Sequence, residues 1–214
     1  MGEIEEEAMK TTLVVSYLPS GEQSFSKKLL DRFLEKSHGK TKIVHRNLLK
    51  THPPVFDEVS LEAYRARNYG GQKLADHHGK AIKPFDELVS EIKSVDHVVF
   101  VFPMHNFSLP GVVKTYIDAV FFHGELFQYT ATGPQGLMGN TKAAILYASG
   151  GAYEPGNPYN VVPPVLDIDL GFAGFGEKRY INVGGTLGGP EDLAKNLEAA
   201  QTQVDKLVAD WYAA

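Results

Sequence analysis

The chain has 214 residues, 43% of them hydrophobic, a formal net charge of -5 and no cysteine. That is enough apolar material for one sizeable core, so a single domain over 1–214 is expected. Scattered Lys and Arg give no basic field for nucleic acid, the missing cysteines exclude a disulfide framework and thiolate chemistry, and no apolar run reaches the roughly 20 residues of a bilayer span, so a cytoplasmic protein without a membrane partner is expected.

The opening MGEIEEEAMK is acidic where a secretory leader would be basic, and 1–10 is expected to be a disordered tail, with Met9 an alternative start. TTLVVSY (11–17) predicts a first strand. LPSGEQSFSKK follows: Gly21 suits a tight turn, and Ser24 or Ser26 suits the cap of a helix striped by Leu29, Leu30, Phe33 and Leu34. Outward N–H groups beside hydroxyls make a phosphate cradle there, or a plain helix cap. TKIVHRNL (41–48) predicts the second strand. The segment 51–80 is longer than a compact connection needs; it predicts a helix near Leu61 to Arg67 and either a lid over a site or an excursion with no role. Its adjacent His77 and His78 would diverge by about 100° on a helix, which suits solvated side chains rather than a metal site.

Phe85, Leu88, Val89 and Ile92 stripe a helix before VDHVVFVF (95–102), a nearly continuous apolar run of the kind that is covered on both faces. This strand ends in FPMHNFSLPG, which carries more apolar and aromatic surface than a turn needs. Pro103 stiffens the strand end, Asn106 offers hydrogen bonds to a heteroaromatic edge, and Ser108 with Pro110 predicts the cap and early proline of the next helix. That helix is striped by Val112, Val113, Tyr116, Ile117 and Val120 and continues into Phe121 and Phe122, more apolar surface than one helix buries on its own sheet. AAILYAS (143–149) predicts a fourth strand leading into Ser149-Gly150-Gly151, whose successive N–H groups suit an electron-rich carbonyl or anionic ring nitrogen. KRYINV (178–183) and a helix carrying Leu193, Leu197, Val204, Leu207 and Val208 complete the chain. The alternation predicts an α/β fold: a doubly wound, five-stranded parallel sheet with helices on both faces and ligand loops after strands one, three and four.

Nucleotide motifs fail on spacing. Gly39-Lys40-Thr41 ends like a phosphate loop, but position 34 is Leu and a strand follows; the later glycines never give a dinucleotide fingerprint; and Ser149 lacks the glycine two positions earlier that a nucleophile elbow requires. What remains is a ligand phosphorylated at one end and planar and apolar at the other. Flavin mononucleotide (FMN) matches, held by Ser24 to Ser26, Met104 to Phe107 and Ser149 to Gly151.

PMHNFSLPGVVKTYIDAV, then FQYTATGPQGL, then a strand ending SGGAY resemble the FMN-dependent NADH:azoreductase family, whose flavodoxin-like enzymes also reduce quinones. The resemblance implies a homodimer with FMN at the interface, reduced by NADH or NADPH and reoxidised by a quinone or azo compound in the same site. Carried over residue by residue, it places cofactor contacts on Ser24, Phe25 and Ser26, on Pro103, Met104, His105, Asn106 and Phe107, and on Ala148, Ser149, Gly150 and Gly151. Tyr129 and Phe172 fall on its substrate-side aromatics. Hydride passes through flavin N5, so no catalytic side chain and no metal are expected. His105 stands where the family has tyrosine, Ala148-Ser149 where it has Ser-Arg, and Leu18 where it has serine. The alternatives are a flavodoxin-like electron carrier or a flavin-free regulatory protein.

Overall fold

A central parallel strand covered on both faces has no side to give to water, and β1 (Thr11–Ser16) accordingly buries Leu13, Val14 and Val15 together. The computed structural model describes residues 9–154 and 156–213, so most of the expected tail lies outside the described residues. β1 is joined through α1 (Phe25–Ser37) to β2 (Lys42–Asn47), then through α2 (Glu58–Tyr64) and α3 (Asp76–Lys93) to β3 (His97–Pro103). α4 (Gly111–Val120) and a hairpin of β4 (Phe127–Thr130) and β5 (Gly133–Gly136) lead to β6 (Lys142–Ala148); α5 (Val162–Phe172), β7 (Glu177–Val183) and α6 (Pro190–Trp211) follow. The five long strands pair in parallel in the order β2-β1-β3-β6-β7. The order reverses between β1 and β3, the point where a doubly wound sheet of this order opens a ligand crevice.

The two-residue period of the strands makes two cores. Leu13, Val15, Val98, Phe100 and Phe102 face α3, α4 and α5, whereas Val14, Val99 and Val101 face α1 and α6. Among the described residues no helix is long and apolar enough to cross a membrane.

Three elements differ from the sequence expectation. Ser108 does not cap α4: Pro110 holds the cap position, and Ser108 pairs with His105 instead. α5 hides behind Pro163 and Pro164, but prolines in a first turn remove N–H groups that have no intrahelical partner anyway. The segment 51–80 is neither a detached lid nor a loose excursion. It contains α2, capped reciprocally by Asp57 and Ser60, a π-helical turn Arg65–Tyr69 and the start of α3. Phe56 anchors it by stacking on Phe85 at 4.3 Å.

The C-terminal end of α6 closes against the amino ends of the central strands. Tyr212 Oη lies 2.6 Å from Thr12 Oγ1, which lies 2.9 Å from Thr41 Oγ1. His97, at the start of β3, is 2% exposed and stacks on Trp211 at 4.6 Å. Burial pushes its pKa down to about 4, and its Nδ1 has no hydrogen-bond partner among the described residues. The folded ring stays neutral, while in the unfolded chain it takes up a proton below about pH 6.5. Stability from this residue is therefore fully present above about pH 6.5 and is lost as pH falls toward 4, by about 2 to 3 kcal/mol. Calorimetry at pH 7 and pH 5 is expected to show a lower Tm at pH 5, and the difference is expected to shrink in His97→Leu.

Candidate functional site

The loop after β1 turns at Gly21 (φ 52°) and enters α1 at Ser24, whose Oγ accepts the Lys27 N–H at 3.3 Å. The N–H groups of Phe25 and Ser26 belong to the first turn, where none has an intrahelical acceptor, and they carry the positive end of the helix dipole. The Ser26 hydroxyl does not face outward. It is buried and donates to the Phe102 carbonyl at 2.9 Å, tying this loop to the end of β3. The anion site thus rests on backbone N–H groups and the helix end, with the Lys28 ammonium held 4.5 Å from the Phe25 ring centre.

The loop after β3 accounts for the surplus apolar surface of FPMHNFSLPG. Met104 N–H donates to the Ala148 carbonyl at 2.7 Å, and His105 and Ser108 exchange both backbone hydrogen bonds at 2.9 and 3.0 Å. The two residues between them, Asn106 (φ 46°) and Phe107 (φ 68°), are both left-handed, as in the two-residue hairpin whose central positions each need positive φ. Asn tolerates that conformation, but for Phe it costs on the order of 1 to 3 kcal/mol. The strain turns Asn106 and Phe107 outward; Phe107 is 48% exposed, meeting Tyr159 at 5.2 Å, with its carbonyl accepting from Val161. His105 meets Tyr17, at the end of β1, edge-on at 5.8 Å.

The third loop supplies fewer donors than its sequence suggests. Ser149 N–H is spent on the Val183 carbonyl at 3.0 Å, its Oγ donates to the Gly151 carbonyl at 2.9 Å, and its carbonyl accepts from Thr186. The array is therefore the N–H groups of Gly150 and Gly151. A Cβ on Gly151 would come within 2.8 Å of the Tyr153 ring, so a larger residue there would displace that ring. The buried Ala148 contributes its carbonyl to the Met104 bond.

The structure brings 24–26, 103–107 and 148–151 together at the carboxyl ends of β1, β3 and β6. Tyr129 and Phe172 are elsewhere. Phe127 links them, 4.8 Å from Phe172 and 5.8 Å from Tyr129, and Gly136 packs against Ala173 and Gly174 so closely that a Cβ would come within 2.3 Å of the Gly174 nitrogen. α5 leaves the Phe107 loop at Val161 and runs back toward the amino end of the sheet. Its 11 residues rise about 16 Å at 1.5 Å each, so Phe172 ends a helix length away from the loop. Tyr153 and Tyr159, beside Phe107, were missed because a Gly-, Pro- and Asn-rich stretch shows no period. A cavity of about 890 Å³, lined by residues such as Tyr180, Asn182 and Asn196, lies along β7, and none of 24–26 or 103–107 lines it. Among the described residues no group of three His, Asp or Glu side chains is placed to hold a metal.

The model of the flavodoxin-like fold family matches residues 10–208, and the chain belongs to that family. It is 34% identical over 199 residues to an FMN-dependent NADH:quinone oxidoreductase of Aeromonas salmonicida, covering 93% of this chain and 99% of that one. Among solved structures it resembles an azoreductase from Bacillus anthracis (TM-score 0.84, 28% identity, covering 94% of this chain and 100% of that one). It also resembles an FMN-dependent NADH-azoreductase from the same species in complex with FMN (TM-score 0.84, 26% identity, covering 95% and 100%).

If the left-handed turn is strained to expose the Phe107 ring, Phe107→Asn is expected to melt at or above the wild-type temperature. A core phenylalanine lost to a small residue costs about 3 to 5 kcal/mol instead. Thermal denaturation followed by circular dichroism decides between them.

Proposed function

We propose that this member of the flavodoxin-like fold family is an FMN-dependent oxidoreductase. NADH or NADPH and then a quinone or aromatic azo compound use one open face of the flavin in turn, a ping-pong cycle. The observation that carries the reading is the strained Asn106-Phe107 turn at the β1/β3 switch point, joined through the Ser26–Phe102 bond to a helix N-terminus with free donors. FMN fits this donor set: its phosphate suits the N–H groups of Phe25 and Ser26, and its ring suits the wall from Met104 to Phe107 and the N–H groups of Gly150 and Gly151. Bound there, FMN supplies hydride acceptance and two-electron transfer. The chain's own part is to hold the ring at one face, to place donors at its polar edge and to leave the other face open.

A second copy completes the site. Tyr129 and Phe172 lie at the end of the sheet opposite loop 104–107 in their own chain, and a two-fold dimer with α5 and the hairpin laid over the partner's loop brings them to its flavin. α5 supports this arrangement: Leu166 and Leu170 are buried against its own sheet, while Ile168 is 72% exposed beside Phe172. The aromatic rings then form the lid that either planar guest stacks against.

The purified protein is expected to be yellow, to bleach with NADH under anaerobic conditions and to recolour with menadione. A yellow protein that NADH does not bleach would point to an electron carrier, and a colourless one that takes up no FMN to a regulatory protein. Ile168→Asp is expected to fold, to scatter light as a monomer and to reduce acceptors more slowly. Two stacked rings are worth about 1 to 3 kcal/mol together, so kcat/KM is expected to fall about 5- to 150-fold. A fully active monomer would overturn the shared site.

A further inference from the structure

His123, in the connection from α4 to the hairpin, is held by three hydrogen bonds from one neighbouring segment. Its N–H donates to Tyr64 Oη at 3.1 Å, its carbonyl accepts from Asn68 Nδ2 at 2.8 Å, and its Nδ1 lies 2.8 Å from the Asn68 carbonyl. A carbonyl only accepts, so Nδ1 carries the proton and the ring plane is fixed. Two tyrosine rings lie nearly parallel to that ring: Tyr69 at 4.5 Å and 13°, and Tyr129 at 5.6 Å and 24°. Tyr64, Asn68 and Tyr69 come from the end of α2 and the π-helical turn, and a π turn is a local distortion that is found most often at functional sites. Arg67 bolts the turn to α3 through two bonds of 2.7 Å to Asp86. The two outer rings are open to water, Tyr69 at 53% and Tyr129 at 60%. Stacked rings with exposed outer members do not serve a core.

We propose that His123 is a positioning residue that acts through Tyr129, and that Tyr69, His123 and Tyr129 form a rigid aromatic shelf selecting acceptors with flat, fused rings over acceptors with one ring. This rests on reading Tyr129 as an acceptor-side wall. An exposed tyrosine ordinarily samples several rotamers, and fixing it costs entropy at the moment of binding. Here the tethered imidazole holds it flat beforehand, so a guest gains from stacking in proportion to the ring area it overlaps. A fused quinone gains most and a single ring least.

The test compares the FMN-loaded wild type with His123→Ala, His123→Phe and Tyr69→Ala. Kinetics with NADH and either p-benzoquinone or anthraquinone sulfonate give one readout, and titration of the oxidised holoenzyme with anthraquinone sulfonate gives a second that needs no turnover. In His123→Ala, affinity and kcat/KM for the fused acceptor are expected to fall about 2- to 10-fold, mainly through KM, with a smaller fall for p-benzoquinone. His123→Phe, which keeps a stacking ring but loses the Nδ1 tether, is expected to recover part of that loss, and Tyr69→Ala to resemble His123→Ala. Equal losses for both acceptors would reduce His123 to general support of the hairpin and overturn the shelf, as would an unchanged titration. A wild type reduced by NADH but reoxidised by neither quinone would overturn the enzyme reading itself, and the shelf with it.

Discussion

The buried hydroxyl of Ser26, 2.9 Å from the Phe102 carbonyl, joins the two loops that the sheet's own topology drives apart. β1 and β3 are neighbours, but the chain leaves β1 toward β2 and leaves β3 toward β6, so nothing in the strand ladder couples their loops. A buried hydrogen bond of this kind contributes about 0.5 to 1.5 kcal/mol. The bond therefore fixes the helix N-terminus and the strained turn relative to one another, which one rigid ligand with a charged end and a flat end requires. The remaining tie, from Met104 N–H to the Ala148 carbonyl, brings in the third loop, so the three loops are held to one another by hydrogen bonds rather than by surface side chains.

Because the donors are backbone groups, the residues that depart from the family resemblance alter less than their chemistry suggests. His105 presents its ring to Tyr17 while its backbone makes the turn, and Ala148 and Ser149 act through a carbonyl and a fixed bend. Departures at such positions change the side chains around the three loops and leave the backbone hydrogen bonds between those loops intact.

The strands, the sheet class and the meeting of the three loops at the carboxyl ends of β1, β3 and β6 were legible because apolar runs and punctuating Gly, Pro and Ser are local signals. What stayed hidden depends on partners far along the chain. The loss of the Ser149 N–H to Val183 crosses 34 residues, and no pattern around Ser149 announces it. The left-handed turn carries no glycine, so its handedness had no sequence marker. Pro163, Pro164 and Gly171 disguised α5, and with α5 unseen the direction of the chain after β6 was unseen too. That concealed which end of the sheet Phe172 occupies. The sequence left the segment 51–80 open between a lid and an excursion because what Tyr64 and Asn68 hold, the backbone of His123, lies 55 to 59 positions away.

α6 closes one face of the sheet together with α1, and it comes after every strand it covers. Until residues 190–211 exist, Val14, Val99, Val101 and Leu146 have only α1 to cover them, and the Tyr212 to Thr12 contact bridges 200 positions. A nascent chain can assemble the α3–α4–α5 side before residues 190–211 are made, but its other face stays only partly covered until they are. Such distant closure slows the final folding step, and the exposed β-branched strands in that interval make the unfinished chain a client for chaperones and the stage at which truncated products aggregate.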